Sequence, residues 1–62
     1  MHRGQIVEVQ EAFDGKGLKA VVDWDDKFVY VCREQEFKSA QRENREPMSI
    51  GFAHEFVREV DK

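Results

Sequence analysis

Val7 and Val9 alternate with Ile6, Glu8 and Gln10 in the stretch QIVEVQEAF, residues 5–13. A period of two puts the valines on one side of a pleated ribbon, so this stretch predicts a half-buried first strand. DGKG at 14–17 collects residues that favour turns and positive φ, and predicts the connection that follows. From Leu18 to Trp24 the alternation is cleaner: Leu18, Ala20, Val22 and Trp24 share one face and Lys19, Val21 and Asp23 the other. This is the second strand. Asp25-Asp26-Lys27 is short enough for a tight hairpin but lacks the usual glycine, so an Asp or Lys there is expected in the left-handed region. Phe28 to Arg33 is apolar on both faces, as befits a central strand covered on both sides, and is expected to be the most protected element.

The character then changes. Arg33 to Glu46 holds eight charges and two apolar side chains. Glu34 to Asn44 contains good helix formers and no Gly or Pro; Glu34 and Lys38 stand at a favourable i,i+4 spacing, and Phe37, Ala40 and Gln41 fall on one stripe. Pro47 forbids continuation much beyond Arg45. These features predict a short helix laid on the sheet by Phe37. MSIGFAHEFVREV closes the pattern: Met48, Ile50 and Phe52 alternate, Ala53 to Glu55 form a break short enough for one 3₁₀ turn, and Phe56 to Val60 resume a strand. Five short strands with a tight turn before the last predict a mainly β fold, a small five-stranded barrel with one short helix or ordered loop between strands 3 and 4. No internal repeat, linker or low-complexity tract divides residues 1–62, which read as one domain.

Composition agrees with the sheet. Of 25 apolar residues eight are valine and one is leucine, a balance that favours strands over a helical bundle. Sixty-two residues lie near the lower limit for folding without a staple. The lone Cys32 can form no internal disulfide, and no thiol or histidine pair has zinc-site spacing. That fits a reducing, cytoplasmic setting. The longest apolar run is too short to cross a membrane and no leader-type segment opens the chain, which reads as complete from Met1.

The segment IGFAHEFVREV resembles the end of SH3 domains, where a glycine and an aromatic close one strand, a 3₁₀ turn follows, and an aromatic–valine pair starts the last strand. Gly51, Phe52, Phe56 and Val57 match that pattern, and Ala53 stands where the turn often has proline. The resemblance implies an SH3-like barrel, an architecture shared with Tudor, chromo-like and KOW-type domains, and VVDWDDKFVYV suits any of them.

Two constellations bear on catalysis or metal binding. Cys32 and His54 are a nucleophile and a base by residue type, but catalysis needs both in hydrogen-bond reach with a third orienting group, and a thiol ending an apolar strand reads as a small buried hydrophobe. Asp23, Asp25 and Asp26 are hard-cation ligand types, yet a calcium loop supplies more ligands at fixed offsets with a glycine, so they read as the solvated tip of a hairpin. The chain is therefore expected to be no enzyme and to hold neither metal nor cofactor.

The aromatics Trp24, Phe28, Tyr30, Phe52 and Phe56 are numerous for this length. Tudor- and chromo-type barrels use such residues as cages for cationic side chains, by cation–π attraction. The leading expectation is an interaction module for a protein or peptide, with Trp24, Phe28, Tyr30, Phe52, Asp25 and Asp26 receiving a basic segment, against the plainer reading that these rings are core. The second is a KOW-type RNA- or DNA-associated regulator using Lys38, Arg42 and Arg45, aligned on one helix face. A net charge of −3 and four glutamates in the same segment oppose it. No membrane partner is expected, and a homodimer through a sheet edge is admitted.

Overall fold

The computed structural model describes residues 1–11 and 15–60. β1 (Ile6–Glu11) pairs antiparallel with β2 (Gly15–Trp24), in register from Ile6 opposite Ala20 to Glu11 opposite Gly15. The sequence expectation that residues 15–17 form a turn is thereby corrected. β1 carries its ladder out to Glu11, and the backbones of Gly15, Lys16 and Gly17 supply its partners; glycine has the same N–H and C=O as any residue. Asp14, the remaining residue of that expected turn, lies outside the described residues.

β3 (Phe28–Cys32) returns along β2, β4 (Ile50–Ala53) pairs with β3, and β5 (Val57–Glu59) pairs with the far side of β1. All pairings are antiparallel, and the strand order is β4-β3-β2-β1-β5. The middle of the sheet is thus β2 rather than β3. The sheet is open, with β4 and β5 as its edges. A 3₁₀ turn, His54–Phe56, links those two edge strands in sequence.

Both faces of the sheet are covered in part. On one, Val7, Val9, Val21, Val29 and Val31 form a valine core that Phe52 and Val57 close. Burying a valine side chain stabilises by ~1.5–3 kcal/mol before entropy is subtracted, so five of them are the main source of stability. On the other face lie Ala20, Val22 and Cys32, packed with Ile6 and Phe37.

Phe37 belongs to α1 (Glu34–Glu43), which lies on that second face, as expected. Ala40, one turn on, is buried. Glu34 and Glu36 place negative charge in the first turn, where the helix dipole favours it. The helix ends because Asn44 takes the left-handed conformation, φ 56°. Its N–H reaches the Gln41 carbonyl at 3.3 Å and the Arg45 N–H reaches that of Ala40 at 3.0 Å, the paired bonds of a Schellman ending. Pro47 then tucks in, buried.

A bulge interrupts β2. Val21 stands opposite Val31 but Asp23 opposite Tyr30, leaving Val22 as the extra residue. Directly opposed residues share a face, so the count shifts by one beyond this point. Trp24, opposite Val29, passes to the valine-core face and Asp23 to the helix face. The expected sharing of one face by Leu18, Ala20, Val22 and Trp24 is corrected accordingly.

Candidate functional site

The β2–β3 hairpin is closed by a side chain. Oδ1 of Asp25 accepts the N–H groups of Lys27 and Phe28, each at 2.8 Å, and the Asp25 N–H donates to the Phe28 carbonyl at 2.9 Å. Because the carboxylate satisfies the turn's amides, Asp25, Asp26 and Lys27 all keep negative φ, and the expected left-handed residue is not needed. The Phe28 and Lys27 amides, helped by the Tyr30 hydroxyl, hold the Asp25 carboxyl below its ordinary range, so it stays ionised. His54 fastens the hairpin tip from the other side: its Nε2 donates to the Asp25 carbonyl at 2.7 Å, which sets the ring's tautomer.

The bulge decides which aromatics meet. Phe28 and Tyr30 stand on the helix face, with ring centroids 6.4 Å apart and planes tilted by 49°. Their β4 neighbours are Ala53 and Gly51, both small, and Asp23 lies opposite Tyr30 on the same face. The Tyr30 ring rests against Gly51, where a Cβ would approach Cε1 to 2.9 Å. The result is a shallow two-ring platform with the carboxylates of Asp23 and Asp25 beside it. Trp24 and Phe52 flank Val29 on the opposite face, where Phe52 packs on the valine core. Thus the six residues expected to act together divide: Phe28, Tyr30 and Asp25 on or beside the platform, Asp26 exposed at the tip, and Trp24 and Phe52 across the sheet. Asp23 joins the platform although alternation alone assigns it elsewhere.

Of the expected basic stripe, Lys38 and Arg42 are exposed on α1, while Arg45 lies past its end. The Arg45 guanidinium turns back to Glu36 at 2.6 Å and to Glu43 at 2.9 Å. Glu36 also accepts the Met48 N–H at 3.2 Å, and these contacts, Arg45 first, lower its pKa. One cation is therefore committed to holding the segment that leads to β4. A further ion pair, Arg3 to Glu46 at 2.9 Å, ties the same segment to the N-terminus.

Cys32 and His54 do not meet. Cys32 is buried at one end of β3, and burial raises its thiol pKa, whereas His54 is bonded beyond the other end, four extended residues or roughly 13 Å away. The geometry provides no nucleophile–base contact between them. Comparison with family models, with curated proteins and with solved structures yields no match for this chain.

Proposed function

We propose that this chain is a non-enzymatic interaction module that receives a lysine- or arginine-bearing segment of a protein partner on the Phe28–Tyr30 platform. The supporting observation is the gathering of two aromatic rings and the carboxylates of Asp23 and Asp25 at one end of one sheet face. A cation over an exposed ring gains ~0.5–1 kcal/mol, too little for useful affinity by itself. The flanking carboxylates supply the rest, and Asp26 at the tip adds attraction at longer range. Phe28 is 42% exposed, so its ring is available to a ligand. Trp24, 40% exposed on the other face, would contact a segment that wraps over the hairpin tip.

The strand order, with both edge strands joined by one 3₁₀ turn, supports reading the sheet as an opened SH3-like barrel. An unpaired, buried Cys32 suits a cytoplasmic setting.

A titration of the isotope-labelled protein with short Lys/Arg-rich and Asp/Glu-rich peptides at two salt concentrations tests the proposal. Amide shifts confined to residues 23–30 and 51–53, seen with the basic peptide, weakened by salt and removed by Phe28→Ala, are expected. Equal shifts with the acidic peptide, or none at low salt, refute it.

A second reading, a KOW-type nucleic-acid-associated regulator, is favoured by Lys38 and Arg42 standing together on α1 with Gln35 and Gln41. It ranks lower because Arg45 is held by two glutamates.

A further inference from the structure

The two edges of the sheet differ in chemistry. β5 presents Arg58 and Glu59, both exposed, among its three residues; such charges discourage an edge from pairing with another chain. β4 reads Ile50-Gly51-Phe52-Ala53 and carries no charge at all. Ile50 stands opposite Val31 on the core face, yet it is 67% exposed, and Met48 just before it is 81% exposed. β3 pairs with one side of the β4 backbone, and the other side looks outward from the sheet.

We propose that β4 is the surface through which two copies of this chain associate, strand against strand and antiparallel, about a two-fold axis perpendicular to the sheet. Such an axis keeps each face of the sheet on its own side, so residues that meet across it must share a face. Since faces alternate along β4, the two residue numbers of each opposed pair must sum to an even value. Centring the contact on Gly51 sets Ile50 of one copy opposite Phe52 of the other, twice, on the valine-core face. The two glycines meet on the other face, each beside its Tyr30 ring. Centring it on Phe52 instead would set Ile50 opposite His54, and centring it on Ile50 would set Phe52 opposite Met48; His54 and Met48 both lie outside the strand. The Gly51 register therefore carries the apolar pairing. Because β5 is charged and β4 meets its own copy, the assembly closes at two rather than growing into a filament.

An edge of four residues buries less than the ~800 Å² per partner of a standard interface, so the association is weak and depends on concentration. Each copy carries a net charge of −3, so added salt tightens it. Salt has the opposite effect on a basic peptide at the Phe28–Tyr30 platform.

Sedimentation velocity from about 10 µM to about 1 mM spans the range expected of so small an interface, at low and high salt. The dimer fraction rises with protein concentration and with salt, and amide exchange at residues 50–53 slows in parallel. Ile50→Lys weakens association by about tenfold or more, because a charge replaces both apolar cross-strand pairs. Leu18→Lys, the same change of charge at an exposed position of β2 away from β4, does not weaken it. A monomer throughout the range, association of Ile50→Lys equal to that of the parent, or concentration-dependent protection at residues 57–59 in place of 50–53 overturns the proposal. The exchange measurement on the unaltered chain decides the matter if Ile50→Lys fails to fold.

Discussion

The ring of Tyr30 occupies the space that a side chain at residue 51 would need: a Cβ built on Gly51 comes within 2.9 Å of its Cε1 and 3.1 Å of its Cδ1. Glycine in a strand interior normally weakens it, but here its missing side chain leaves the room that the Tyr30 ring takes up across the β3–β4 pair. Gly51→Ala must displace that ring or the strand, at a cost of ~1–3 kcal/mol. Thermal unfolding of Gly51→Ala, Tyr30→Ser and the double variant checks this. The double variant is expected to be more stable than the sum of the single losses implies, since the clash disappears with the ring.

Asp25 carries a pH dependence. Its carboxyl is held below the ordinary value of 3.8, first by the Phe28 amide and then by that of Lys27, and Glu36 is held below 4.5, first by Arg45. A depressed carboxylate adds stability that is fully present above its unfolded pKa and is lost as pH falls through the folded one. Stability should therefore be flat near neutrality and decline below about pH 4–5, where the carboxylates of the unfolded chain begin to take up protons ahead of the same groups in the fold. Asp25→Asn keeps an oxygen that accepts both amides but cannot titrate, so its melting temperature should vary less with acid than that of the parent. Asp25→Ala should lower the melting temperature at neutral pH as well.

Asn44 offers a cleaner backbone test. It adopts φ 56°, a conformation that glycine takes freely and alanine resists. Asn44→Gly is expected to leave stability within about 0.5 kcal/mol of the parent, and Asn44→Ala to lower it by ~1 kcal/mol. Urea unfolding at equal slopes distinguishes the two.

Phe37 holds α1 to the sheet through Ile6, Ala20, Val22 and Cys32, and its ring lies 3.3–3.4 Å from where a Cβ on Gly4 would be. Phe37→Ala removes the one large apolar anchor of the helix and should cost about 2–4 kcal/mol, a large share of what a domain of this size has. Circular dichroism and amide exchange should show residues 34–43 losing protection while the β1–β2 ladder persists. Simultaneous loss of both would mean that the sheet depends on the helix more than its separate valine core implies.

Much of this arrangement was legible in the residues. Val7 and Val9 announced the core side of β1, Phe37 the face of α1, and the break at Ala53–Glu55 the 3₁₀ turn, because each depends on a local period or a local breaker. Other features depend on partners distant in the chain. Gly15 and Gly17 became strand because β1 needed a ladder at that distance, which outweighs their turn preference. Ile50 kept its place in the alternation but little of the burial it suggested, and Met48 stands exposed ahead of the strand, since among the described residues no further strand pairs with β4. Arg45 left the helix face because Asn44 ended the helix before it. The candidate site was legible in residue type and obscure in geometry: nothing in the identity of Val22 marks it as the extra residue in β2, yet that one residue settles which aromatics stand together.

The Val22 bulge is slack in β2. Removing Val22 would leave Val21 opposite Val31 and bring Asp23 opposite Tyr30 in unbroken register, so Asp23 stays with the rings and Trp24 with the valines. The loss of one residue, usually regarded as mere damage to a strand, is absorbed here without altering what the tip displays. The two ends of the same strand can therefore diverge independently, one under the demands of the core and the other under those of whatever the tip touches.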